Sequence, residues 1–119
     1  MNPIRDFCRI LLTFITVGIT LAFGTADAQQ NVAQEAYLIL EQKCLSCHGP
    51  NGPYTEQLVI ESAAQLVESG AVVPGVPIES ELFKRLFDGD EAKRMPLKQP
   101  PLSAAAIQKI GAWIQAGAP

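Results

Sequence analysis

The chain is expected to be all-α: a small fold of about four helices joined by long Pro/Gly loops. Three observations carry that expectation. Apolar residues recur at three- and four-residue steps, no alternating run is long enough to anchor a sheet, and nine prolines and nine glycines punctuate the 119 residues. No internal repeat or low-complexity block interrupts the pattern.

The first segment reads as a secretory signal peptide spanning residues 1–28. Arg5 and Arg9 precede an apolar run over residues 10–23, and Ala26-Asp27-Ala28 is a small-x-small cleavage pattern. The run is short of the roughly 20 residues needed to span a bilayer. Cleavage after Ala28 is therefore favoured over retention as an anchor, with no stable membrane span afterwards. Cys8 precedes the run and leaves with it.

Residues 29–119 then form one small domain. Asn31 is placed to cap a first helix whose apolar face is Val32, Ala36, Tyr37, Ile39, Leu40 and Cys44. Glycines and prolines at 49–53 force an irregular stretch. Leu58-Val59-Ile60 is briefly extended, and Ser62 caps a short helix that Gly70 stops. After the turn at Pro74-Gly75-Val76-Pro77, a helix over residues 80–87 carries Leu82, Phe83, Leu86 and Phe87 on one side. Met95-Pro96 opens a stiff connection ending at Pro100-Pro101, and Ser103 caps the last helix, residues 104–115. Leu102, Ile107, Ile110 and Ile114 face inward with Trp113 beside them, and Gly117 ends the helix.

Charge narrows the partners. Residues 29–119 hold seven Lys and Arg against ten Asp and Glu, which argues against a nucleic-acid binder with a basic surface. Five of the bases, Lys84, Arg85, Lys93, Arg94 and Lys98, share one segment, but Glu79, Glu81, Asp88, Asp90 and Glu91 interleave with them. So small a domain also buries little apolar area against the entropy of ordering it, and calls for an additional staple.

The sole histidine and two of the three cysteines fall within five residues, Cys44-Leu45-Ser46-Cys47-His48. Cys-x-x-Cys-His is the attachment signature of c-type haem. Residues i and i+3 share one side of a helical turn, so both sulfurs can reach one edge of a porphyrin while His48 sits beneath the iron. A thioredoxin-like pair would sit after a strand at a helix N-terminus, whereas this pair ends a helix. Zinc needs four ligands, and the cleaved chain offers one His and two Cys, so a carboxylate would have to complete the set. A disulfide between Cys44 and Cys47 closes too small a loop to stabilise much.

With no second histidine, two imidazoles cannot ligate one iron within the chain. Met95 is the one methionine left after cleavage, 47 residues beyond His48, where no helical apolar face requires it. A thioether there completes the coordination sphere, raises the reduction potential relative to two histidines, and leaves electron transfer as the expected work. An exchangeable sixth ligand, Lys98 or Tyr54, would instead suit a gas or redox sensor. A haem-free interaction domain closed by the disulfide is the third alternative.

The chain resembles the monohaem class I cytochromes c, and more narrowly the planctomycete-type cytochrome c domain. The resemblance rests on "CLSCHGP" at 44–50, "VVPGVPIESELFKRL" at 72–86, "RMPLKQPPLS" at 94–103 and "IQKIGAWIQAGAP" at 107–119. It implies a cytochrome c fold around one covalently bound haem c with its iron, crossed terminal helices, thioethers at Cys44 and Cys47, His48 as proximal and Met95 as distal ligand. The expected protein is an exported, periplasmic electron carrier rather than an enzyme, cycling between a redox donor and an acceptor protein. Leu82, Phe83, Leu86 and Phe87 would line the haem pocket.

Overall fold

The structure, a computed structural model, describes residues 23–119. Arg5, Cys8, Arg9 and residues 10–22, on which most of the signal-peptide reading falls, lie outside the described residues.

The described residues are helical and contain no strand. In chain order they form α1 (Phe23–Lys43), α2 (Leu45–His48), α3 (Ala63–Glu68), a single 3-10 turn (Pro77–Glu79), α4 (Glu81–Arg85) and α5 (Ala104–Gln115). The expected all-α class holds. The fifth α-helix is the turn of the cysteine motif itself.

Helix α1 begins well before Asn31, which is therefore an interior residue and not the expected cap. The reason lies in residues 26–30: alanines and glutamines are strong helix formers, so nothing stops the helix from running back through them. Its predicted apolar face is the one that packs. Ala36 and Leu40 are buried, and Val32, Ile39 and Cys44 lie partly buried against the core.

Helix α5 supplies the other half of that core, packing on α1 with Ile110, Trp113 and Ile114 all buried. Ser103 caps it as expected, its hydroxyl accepting from the Ala106 N–H at 3.2 Å. At the far end Gly117 takes a φ of 97°, and the N–H groups of Gly117 and Ala118 return to the carbonyls of Ile114 and Trp113. This is the Schellman closure, which satisfies carbonyls the helix leaves open and favours glycine at the left-handed position. The Trp113 indole lies edge-on to Tyr37 of α1, centroids 6.1 Å apart, and its Nε1–H donates to the Pro119 carbonyl at 3.1 Å. Outside the core, Lys109 pairs with Glu35 at 3.2 Å.

Between these helices the chain makes a wall of short segments. Ser62 caps α3 by accepting from the Gln65 N–H at 3.1 Å, and Gly70, with φ 77°, turns the chain out of it. The Tyr37 hydroxyl accepts from the Ala63 N–H, fastening α3 to α1. The Gly75 N–H donates to the Ile114 carbonyl at 2.7 Å, stitching the Pro-Gly turn to α5. Ser80 is fully buried, accepting from the Val73 N–H at 2.9 Å and donating to the Val76 carbonyl, and so fixes the approach to α4. That helix is shorter than the expected 80–87 because Leu86 already closes it. No helix among the described residues is long and apolar enough to cross a membrane.

Candidate functional site

The cysteine motif follows α1 directly, with Cys44 (φ -120°) standing between that helix and α2. The Cys44 N–H donates to the Leu40 carbonyl and the His48 N–H to the Cys44 carbonyl, both at 2.8 Å, while the Cys47 N–H reaches the Cys44 carbonyl at 3.1 Å. Helical hydrogen bonding through the motif brings Cys44 and Cys47, three residues apart, to one side of the turn. Both cysteines are free thiols and half-buried. Burial, with a smaller contribution from neighbouring Cys47, pushes the Cys44 thiol up to about 11. Redox-active or nucleophilic cysteines are tuned the other way, so Cys44 lacks the lowered thiol of a thioredoxin-like site.

The glycines after the motif are dictated by close approach. A Cβ on Gly49 would lie 2.6 Å from the Leu45 carbonyl oxygen, and one on Gly52 would run into the Cys47 carbonyl. Closing this tightly, the loop lets the Tyr54 N–H donate to the Cys47 carbonyl at 3.1 Å and returns the chain past His48.

The returning segment holds His48 twice. The Ile60 N–H donates to the His48 carbonyl at 2.7 Å, and the imidazole Nδ1 lies 3.1 Å from the Leu58 carbonyl oxygen. A carbonyl can only accept, so Nδ1 carries the proton and Nε2 keeps its lone pair for a metal. Sequence reasoning missed the role of Leu58. The contribution is a backbone oxygen, for which a side-chain motif gives no signal.

Cys44, His48 and Met95 line one cavity of about 460 Å³, within the range of cofactor and ligand sites. Its walls are largely apolar, with Leu40, Leu58, Leu82, Leu86 and Ile110 among them. A recess of about 40 Å³ adjoins it, again lined by Cys44, His48 and Met95, and adds Cys47, Tyr54 and Pro96. All four residues singled out in the sequence are thus brought together around two adjoining spaces. Met95 arrives from a later loop, its N–H donating at 2.8 Å to the carbonyl of Arg85, the last residue of α4.

Leu82 and Leu86 face this cavity, but Phe83 and Phe87 do not line it, which corrects the expectation for those two. Residues 82 and 86 lie four apart on one helical face, and 83 and 87 are rotated from them by one residue step. The Phe83 ring instead packs over Gly111 of α5, where an added Cβ would lie 3.0 Å from it. Phe87 is 53% exposed and stands edge-on to Phe83 at 5.1 Å. Of the alternative sixth ligands, Lys98 lines neither space, whereas Tyr54 borders the recess with its ring 6.0 Å from the imidazole. Among the described residues no three His, Cys, Asp or Glu side chains gather as a metal cage, so the four-ligand set that zinc needs is not assembled.

Residues 44–99 match the family model described as planctomycete cytochrome C. This segment belongs to that family. No curated protein and no solved structure matches the chain. The matched cytochrome c segment begins at Cys44 and includes Cys47, His48, Met95 and the whole of α2, α3 and α4. It stops short of α5, whose "IQKIGAWIQAGAP" resemblance therefore lies beyond the matched part.

Membership implies haem c with its iron and electron carriage. The residues present fit that group on their own chemistry. A largely apolar cavity of suitable size has two free thiols at its edge, an imidazole with its metal-binding nitrogen left available, and a thioether on a separately anchored loop.

Proposed function

We propose that the chain is an exported c-type cytochrome, or a module of one, that carries single electrons through one covalent haem ligated by His48 and Met95. Residues 1–28 are the signal peptide, and residues 29–119 form the haem domain. The bound group supplies a one-electron Fe(III)/Fe(II) couple. The observation that carries this reading is the Leu58 carbonyl on the Nδ1 of His48, in the same cavity that Met95 lines.

Each residue has a separate task. Cys44 and Cys47 fasten the porphyrin: each thiol adds across one vinyl double bond, sulfur to one carbon and the thiol hydrogen to the other. Leu58 fixes the tautomer and orientation of His48 and raises its basicity toward the metal. Met95 would offer the iron a soft thioether, which favours the reduced state and would leave no open position for oxygen. The Arg85 carbonyl anchors the loop that presents Met95. Leu82 and Leu86 exclude water, which keeps electrons moving to and from donor and acceptor proteins in the periplasm rather than into side reactions.

Protein exported from a host competent in cytochrome c maturation tests all of this at once. Optical spectra of both oxidation states, an intact mass and exposure to carbon monoxide are the measurements. The expected result is a low-spin spectrum, the mass of residues 29–119 plus one haem, and resistance of the reduced form to carbon monoxide. A colourless protein weighing only its amino acids would end the proposal.

A further inference from the structure

Among the described residues, two charged side chains, Glu81 and Arg85, border the large cavity. They lie one turn apart on α4 and pair with each other, Arg85 Nε to Glu81 Oε1 at 2.7 Å. Hydrogen bonds from Arg85 first, and then Lys84, hold the Glu81 carboxyl below its ordinary range. Glu81 thus takes one edge of the guanidinium. Its two terminal nitrogens meet no acceptor among the described residues. An arginine with its fork free, beside an apolar cavity, is a ready receptor for a carboxylate.

We infer that Arg85 binds a carboxylate arm of the haem and thereby ties the cofactor to the loop that presents Met95. The inference rests on the proposed function. A porphyrin fastened by two thioethers along one side carries its two carboxylates on the remote side, and those charges need a counter-ion where they meet the protein. Of the two spaces, Lys43 borders the recess that holds Cys47 and not the large cavity, and it stands next to Cys44 in the chain, so it belongs to the thioether side. Arg85 belongs to α4 and is the remaining cation in contact with either space. Its guanidinium has five donors, so it can keep Glu81 on Nε while its terminal nitrogens grip the arm bidentately. Its backbone carbonyl meanwhile holds the Met95 N–H at 2.8 Å. One residue then joins the carboxylate edge of the cofactor to the backbone of the distal ligand.

The test uses exported holoprotein with Arg85→Gln, Arg85→Lys and Lys43→Gln, by potentiometric titration and resonance Raman spectroscopy of the carboxylate arms. Losing the cation destabilises the electron-rich ferrous state. Arg85→Gln should therefore move the equilibrium about two- to tenfold toward Fe(III), a fall of roughly 20–60 mV at 59 mV per tenfold for one electron. It should also shift the carboxylate bending band. Arg85→Lys restores the potential in large part but not the band, because an ammonium cannot reproduce the bidentate fork. Lys43→Gln leaves both unchanged. Arg85→Gln with the parent's potential and band, or Lys43→Gln producing the shift in its place, overturns the inference. Should Arg85→Gln fail to mature, the band of Arg85→Lys decides: an unchanged band overturns the fork. Colourless parent protein would defeat the proposed function, whereas coloured protein indifferent to Arg85 defeats only this step.

Discussion

Gly52 offers the sharpest test of how the attachment motif is built. An added Cβ would sit 2.5 Å from the Cys47 carbonyl carbon, nearer still to its oxygen, and 3.1 Å from the Gly49 oxygen. Real Cβ atoms essentially never approach closer than 3.0 Å, and these neighbours are backbone, which cannot rotate away. Gly52→Ala must therefore displace the Cys47 carbonyl or open the Gly52 N–H bond to Gly49, now 2.8 Å long. Overpacking of this kind costs about 1–3 kcal/mol. For a domain of this size that corresponds to a fall in Tm of roughly 5–20 °C. Because the displaced carbonyl belongs to Cys47, one of the two proposed attachment residues, attachment should suffer too, giving more protein with one thioether or none. Gly89→Ala is the control, since a Cβ there meets nothing within 4 Å. Thermal unfolding followed at the haem band, with intact mass for attachment, reads both effects. A Gly52→Ala protein as stable and as fully loaded as Gly89→Ala would refute the loop geometry.

Other substitutions probe the ligand and the core. Met95→Ala should open the sixth position, so that the reduced protein binds carbon monoxide rapidly and its potential falls; an unchanged low-spin spectrum would remove Met95 from the site. Trp113→Ala deletes a fully buried indole between the terminal helices, at a cost of about 3–5 kcal/mol and a Tm drop of at least roughly 10 °C. Trp113→Phe keeps most of the packing but loses the bond to Pro119, for about 1–2 kcal/mol. Calorimetry showing a shift of under two degrees for the alanine variant would contradict the packing of α5.

Features that depend on local chemistry were readable in the sequence. Ser62, Ser103, Gly70 and Gly117 punctuate the helices where expected, because caps and left-handed closures are decided within a few residues. Spacing also gave the inner face of α5. The start of α1 escaped, since Asn31 can cap a helix only if the residues before it decline to join, and Ala and Gln do not decline. The short α4 was read as one apolar side, but its four large residues split between two neighbours, Leu82 and Leu86 to the cavity, Phe83 to Gly111. Sequence spacing cannot say which neighbour a five-residue helix will have on each flank. The two backbone carbonyls that orient His48 and anchor Met95 belong to Leu58 and Arg85, and any residue in the same fold would offer the same oxygen.

The cavity also bears on how the domain stays folded. Its largely apolar walls, Leu40, Leu58, Leu82, Leu86 and Ile110 among them, have no packing partner across about 460 Å³ unless a large apolar group fills it, and the buried core of Trp113, Ile110 and Leu40 is small. A haem in the cavity would restore those contacts, and the two proposed thioethers would prevent its loss. Protein made without haem attachment should therefore keep helical circular dichroism in part but lose cooperative melting and expose apolar surface to dye. Identical Tm values and equally sharp transitions with and without haem would show that the polypeptide packs its own core, and that the sulfur links serve only to retain the cofactor.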